Sequence, residues 1–225
     1  RNGADATLEA IAGMETVENL NITSTGAAAN TVETTNTDGG GSEFSTINVS
    51  GDQNLDLGTL DGGTNATVDA SGFTGNLDVK LGGTNDHTIT GGEGDDTVDT
   101  GGNALDGSDT LEGGAGEDTL TIAGNSATLS PNAMATINGF ETFAGRVTGM
   151  GTLNTLDASS LSGFSNIEGI SDNGSAQIEV TNITDQGVAF SNTDNGGMGA
   201  NGLNTLGVGL SDASGSSDAL DVTVT

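Results

Sequence analysis

Hydrophobic residues recur along the chain as short alternating triplets: Leu55-Asp56-Leu57, Leu77-Asp78-Val79, Ile178-Glu179-Val180 and Val222-Thr223-Val224. A period of two, enriched in Val and Thr, predicts β-strand. Gly, Asn and Asp separate the triplets, and these residues form turns and tolerate positive φ. No long stretch carries a sustained helical stripe. Residues 130–140 (SPNAMATINGF) are the best helix candidate. Their Ser-Pro start suits an N-cap followed by Pro at the first helical position. The pattern predicts an all-β chain of very short strands with little helix.

Three kinds of internal repeat follow. Ile11-Ala12-Gly13-Met14-Glu15-Thr16-Val17 returns as Ile137-Asn138-Gly139-Phe140-Glu141-Thr142-Phe143. Val68-Asp69-Ala70-Ser71 returns as Leu156-Asp157-Ala158-Ser159, each copy followed by an apolar residue and a glycine (Phe73 and Gly75, Leu161 and Gly163). The third repeat carries chemistry. Gly91-Gly92-Glu93-Gly94-Asp95-Asp96-Thr97-Val98-Asp99 fits G-G-x-G-x-D-x-U-x, with U a large apolar residue, at every fixed position. So does Gly113-Gly114-Ala115-Gly116-Glu117-Asp118-Thr119-Leu120-Thr121. Between them, Gly107-Ser108-Asp109-Thr110-Leu111 supplies the second half of a copy whose Gly101-Gly102 is displaced upstream by an insertion containing residues 103–105. Before them, Gly82-Gly83-Thr84-Asn85-Asp86-His87-Thr88-Ile89-Thr90 is degenerate, with Asn85 in place of the third glycine and His87 in place of the sixth-position Asp.

This block resembles the RTX nonapeptide repeat, the calcium-binding repeat of secreted bacterial proteins. The resemblance implies a parallel β-solenoid, the RTX β-roll. Two nonamers then make one coil of about 18 residues, and each ion sits between two stacked turns. It pairs the Asp96 turn with the Asp118 turn on one edge, and the Asp86/His87 turn with the Asp109 turn on the other. Ile89, Val98, Leu111, Leu120 and Leu129 become the buried set. The implied metal-site residues are Gly82, Gly83, Asp86, Gly91, Gly92, Gly94, Asp96, Gly107, Asp109, Gly113, Gly114, Gly116 and Asp118, holding several Ca2+ ions. The chemistry suits the spacing. Calcium takes about six to eight oxygens, carboxylates and backbone carbonyls among them, and glycines let carbonyls approach without a Cβ clash. Counting back in nines from Asp96 reaches His87, Asp78 and Asp69, which makes Asp78 and Asp69 weaker ligand candidates. Glu93, Asp95, Asp99, Glu112 and Glu117 read as solvated acids.

The flanks are similar to those of bacterial S-layer and large surface proteins of the RTX class, through the G-[MF]-E-T-[VF], D-A-S-x-[FL] and Ser165-Asn166-Ile167-Glu168 elements. The expected organisation is an N-terminal solenoid flank over 1–60, the β-roll over 61–130 and a C-terminal solenoid flank over 131–225. The resemblance implies a structural, non-enzymatic segment of an extracellular cell-surface protein that folds on binding calcium and self-associates through it. Asp172, Asp185, Asp194, Asp212 and Asp218 are candidates for bridging neighbouring copies. A contact with cell-surface polysaccharide is a further partner, although the absence of Trp and Tyr removes the usual stacking platforms. The alternatives are a non-catalytic export module of a secreted hydrolase, an adhesin segment or a spacer.

Composition narrows these readings. The 225 residues carry 32 Asp+Glu against 3 Lys+Arg, a formal net charge of −29. That excludes a nucleic-acid binder, which needs a basic footprint, and opposes docking on an anionic membrane. No apolar run approaches the roughly 20 residues of a membrane span. High charge with few aromatics is also the composition of disorder, but a hydrophobic content of 32% arranged in regular triplets favours a fold. There is no cysteine and only one histidine. No G-x-S-x-G or H-E-x-x-H motif accompanies that histidine. Arg1 and the strand-like end at Val222-Thr223-Val224-Thr225 suggest a piece of a longer chain.

Overall fold

The computed structural model describes residues 6–8, 19–32, 44–60, 65–83, 85–101, 108–124, 128–129, 136–147, 153–161, 163–171, 177–183, 187–192, 206–210 and 222–224. In chain order the strands are β1 (Ala6–Leu8), β2 (Asn19–Ser24), β3 (Asn30–Val32), β4 (Thr46–Gly51), β5 (Leu55–Leu60), β6 (Thr67–Phe73), β7 (Leu77–Leu81), β8 (Thr88–Thr90), β9 (Thr97–Asp99) and β10 (Thr110–Glu112). They continue as β11 (Thr119–Gly124), β12 (Thr128–Leu129), β13 (Thr136–Asn138), β14 (Thr142–Val147), β15 (Leu153–Asp157), β16 (Asn166–Ser171), β17 (Gln177–Ile183), β18 (Gly187–Asn192), β19 (Leu206–Leu210) and β20 (Val222–Val224). All four alternating triplets fall in strands: β5, β7, β17 and β20. The one helical element among the described residues is the 3-10 turn Ala158–Ser160. The helix expected over 130–140 does not form in its described part, because β13 occupies it. Ile137 stands in register with Leu111 of β10, and that pairing overrides a weak local helix signal. Among the described residues no helix is long and apolar enough to cross a membrane.

The chain forms two compact units, Arg1–Leu120 with Asn132–Phe140, and Thr121–Pro131 with Glu141–Thr225. In the first, successive strands alternate between two parallel sheets. One holds β1, β3, β5, β7 and β9 in that order; the other holds β2, β4, β6, β8, β10 and β13. Parallel pairing of each strand from β1 to β8 with the next but one, and of β10 with β13, makes a β-solenoid of about five turns. Ile47, Val68, Ile89 and Leu111 stand opposite one another, 21, 21 and 22 residues apart, and all are buried. The coil is therefore longer than the expected 18 residues. Strands β5, β6 and β7 run for 6, 7 and 5 residues where a nonamer allows about three, and the insertion after Gly102 lengthens the following coil. Ile89, Val98, Leu111 and Leu120 are buried as expected; the side chain of Leu129 lies outside the described residues.

The second unit repeats the plan with β14, β16, β18 and β20 in one parallel sheet and β12, β15, β17 and β19 in the other. Phe143, Ala158, Leu161, Ile167, Val180, Ile183 and Val188 form its core. Phe164 meets Phe143 edge to face, with ring centroids 5.4 Å apart. The two D-A-S copies build the same corner in the two units. Asp69 Oδ1 accepts from Ser71 N–H at 3.1 Å and Ser71 Oγ at 2.7 Å. Asp157 Oδ1 accepts from Ser159 N–H at 3.0 Å and Ser159 Oγ at 2.7 Å. The following alanines, Ala70 and Ala158, are both buried, as are Phe73 and Leu161. Of the other loose repeat, the copy at 137–143 runs from β13 into β14, and the copy at 11–17 lies outside the described residues.

Candidate functional site

The site follows from strand periodicity. Alternate residues share a face, so the sixth position of the repeat faces the same way as the eighth. The eighth is Val98 or Leu120, packed in the core. Asp96 and Asp118 are therefore turned inward too, with only 2% and 0% of their surface exposed. On the other edge of the coil Asp109 is 4% exposed. A carboxylate so placed must be hydrogen-bonded. Asp96 Oδ1 accepts the Leu77 N–H at 2.8 Å, and its Oδ2 accepts the Gly92 N–H at 2.7 Å. Asp118 Oδ1 accepts the Asp96 N–H at 2.7 Å, and Asp109 Oδ1 accepts the His87 N–H at 2.9 Å. Each sixth-position carboxylate thus ties its turn to the preceding coil. The Asp96 and Asp118 turns stack together, and so do the His87 and Asp109 turns.

The fifth position does the reverse. Asn54 Oδ1 accepts the Asn76 N–H at 3.1 Å, Asn76 Oδ1 the Asp95 N–H at 3.1 Å, and Asp95 Oδ1 the Glu117 N–H at 3.0 Å. Here the side chain accepts from the following coil. On the other edge Asn65 Oδ1 accepts the Asp86 N–H at 3.1 Å, and Asp86 Oδ2 accepts from Asn65 Nδ2 at 3.3 Å. Two ladders of opposite direction therefore clamp successive coils. Asp95, read from sequence as solvated, is a rung of this second ladder. The signal was present in the sequence as Asn or Asp at the fifth position of coil after coil.

The glycines make room for oxygen. A Cβ on Gly91 would be driven into the Gly113 carbonyl and would lie 2.5 Å from Asp96 Oδ2. A Cβ on Gly113 would be driven into the Gly139 carbonyl and would lie 2.7 Å from Asp118 Oδ2. At two equivalent places, one coil apart, a carboxylate oxygen and a carbonyl oxygen crowd a glycine so closely that no Cβ fits. Gly92 and Gly94 approach the carbonyls of Phe73 and Gly75, and Gly114 and Gly116 repeat that approach against Gly92 and Gly94. Gly82 is buried and Gly83 is exposed. Gly107 lies outside the described residues, as do Asp172, Asp185, Asp194, Asp212 and Asp218.

Asp78 and Asp69 do not join the Asp96 turn. Leu77, not Asp78, stands level with Asp96, and Asp78 faces outward from β7 opposite Thr97. Asp69 faces outward from β6 and holds Ser71. Counting in nines misplaced both, because the coils are 19 to 22 residues long and not two nonamers: Asp78 stands 19 residues before its partner Thr97, and Asp69 21 before Thr90. His87 is 3% exposed. Its Nε2 lies 3.4 Å from the Gly82 carbonyl oxygen, and its buried Nδ1 has no hydrogen-bond partner among the described residues.

Burial pushes the Asp96 carboxyl above the usual carboxylate range; the amides of Gly92 and Leu77 oppose this, and the adjacent Asp95 adds to it. The donors gathered at these turns are carboxylate and carbonyl oxygens, the hard type that calcium takes. Among the described residues no three His, Cys, Asp or Glu side chains converge, so a cation here would draw much of its shell from backbone carbonyls. The chain matches no known family model, no curated protein and no solved structure.

Proposed function

We propose that this chain is a structural segment of a secreted bacterial surface protein, S-layer-like, that folds and assembles on binding extracellular calcium. The observation that carries the reading is the set of buried carboxylates Asp96, Asp109 and Asp118, of which Asp96 and Asp118 sit in glycine turns crowded by backbone carbonyls. Buried carboxylates beside carbonyl oxygens are unfavourable without a counter-charge, and a divalent cation at these turns would supply it. Asp96 and Asp118, with the carbonyls of Gly113 and Gly139, would hold ions on one edge; Asp109 and Asp86 would serve the other. When bound, the ion supplies positive charge in a chain whose 32 acids face only 3 basic side chains.

Burial of Asp96 raises the free energy of its ionised form. Ligand binding to the folded state alone offsets such a cost by mass action. Modules of this kind bind calcium at about 10⁻⁴–10⁻³ M, far above cytosolic levels and within reach outside the cell. The acidic coils are then incompletely folded before export and ordered afterwards. The test is far-UV circular dichroism in EGTA and then in millimolar calcium. A gain of β signal on adding calcium is expected, and a spectrum that does not change at all overturns the reading. Ordered two-dimensional arrays formed only with calcium would support assembly, whereas a strict monomer at high calcium would overturn that part.

A further inference from the structure

We infer that the first unit carries its own metal-free template: the coils of β4 to β7 hold without a cation, and the coils bearing Asp96, Asp109 and Asp118 order on them only with calcium. The inference rests on the calcium reading above and adds where the metal requirement stops. The sixth-position column on one edge runs Leu55, Leu77, Asp96, Asp118 in register. All four are buried, so the same inward place changes from hydrocarbon to carboxylate between Leu77 and Asp96. The fifth-position column changes with it, from the neutral Asn54 and Asn76 to the acidic Asp95 and Glu117. On the other edge, Ala66 gives way to His87 and then Asp109.

The apolar core changes at the same boundary. Strand β5 alone buries three leucines, Leu55, Leu57 and Leu60, whereas β8, β9 and β10 bury one large apolar residue each, Ile89, Val98 and Leu111. Stability in a solenoid is approximately a sum over coils and their nearest-neighbour interfaces. The earlier coils add hydrophobic burial with no ionised group inside. The later ones add thin burial and a buried carboxylate. The boundary also has a fitted face. Asn76 offers an acceptor to the Asp95 N–H, and the adjacent Leu77 offers a donor to Asp96 Oδ1. An incoming coil satisfies both only in one register.

Hydrogen–deuterium exchange of the whole chain, read by mass spectrometry in EGTA and in millimolar calcium, tests this. Amides at 46–60 and 67–81 are expected to be protected in both conditions. Amides at 88–99 and 110–120 are expected to exchange at least about tenfold faster in EGTA. Should 46–81 exchange in EGTA as fast as 88–120, the template is overturned while the calcium reading stands. Should 88–120 be equally protected in both, the calcium reading falls and takes the inference with it. A Leu77→Asp variant carries the acidic column one coil back. Its residues 67–81 are expected to lose protection in EGTA while 46–60 keep theirs, and unchanged protection of 67–81 counts against the boundary.

Discussion

Asp96 and Asp157 each sit at a corner of a parallel coil and each accepts hydrogen bonds from nearby backbone. Asp96 does so from inside, where burial holds its carboxyl above the usual range. Asp157 does so from a partly exposed position. The Ser159 hydroxyl and then Asn182 hold its carboxyl below the usual range, and Asp69 is lowered in the same way by Ser71. The D-A-S corner is thus complete in itself: one carboxylate, one hydroxyl and one amide close a local ring at little desolvation cost. The glycine turn is not. It places charge where water cannot reach, and its balance has to come from a cation or from protonation. Metal dependence should therefore follow the glycine turns and spare the D-A-S corners.

The largest effect that bears on this difference is steric. Gly91→Ala drives a Cβ into the Gly113 carbonyl and should cost about 3 kcal/mol in saturating calcium, read by urea unfolding. Gly72→Ala meets nothing within 4 Å and should stay within about 0.5 kcal/mol. Next, Asp96→Ala strips the acceptor from the Leu77 and Gly92 amides and should cost about 2–3 kcal/mol in calcium. Asp157→Ala should cost about 1 kcal/mol, the loss of a cap. It should cost the same in EGTA, and a calcium-dependent penalty at Asp157 would erase the distinction between the two corners.

Smaller effects appear in pH titrations of unfolding in EGTA, and they have opposite signs. Burial raises the folded pKa of Asp96 above the ordinary aspartate value. Its contribution is thus fully present below that value and is lost as pH rises through the folded pKa. Asp96→Asn should gain on the native chain as pH increases from mildly acidic to neutral. Asp69 and Asp157 have lowered folded values. Their contribution is present above the unfolded pKa and fades as pH falls through the folded one. Asp69→Asn should be the smallest change of all, visible near neutrality and vanishing in strong acid.

Much of this was legible in the residues. The alternating triplets marked strands because a pleated chain must alternate its faces, and the double-glycine motifs marked turns because Gly91 and Gly113 stand where no Cβ fits. The stacking of Asp96 on Asp118 followed from their equivalent places in the motif. Three things did not follow. Coil length depends on how far β5, β6 and β7 extend past the motif, and a motif count cannot report that. The strand at Thr136–Asn138 owes its form to β10, which is distant in sequence. The fifth-position ladder was overlooked because an exposed Asn or Asp between strands looks like any turn residue until its neighbour one coil away is known.

The two opposed ladders give each coil a distinct front and back. That lets the acidic stack be shortened by one whole coil without disturbing its neighbours. Excising residues 97–118 would join Asp96 to Thr119 and bring β8 against β13, with Ile89 facing Ile137 in place of Leu111. The Asn76 and Leu77 rungs would stay as they are. Asp96 and Asp118 are 22 residues apart, so an excision of that length keeps the rungs on either side in register, whereas removing one residue from a strand would turn its side chains to the opposite face. Loss of strands in this part of the chain thus goes by the whole coil, as teeth are lost from a rack.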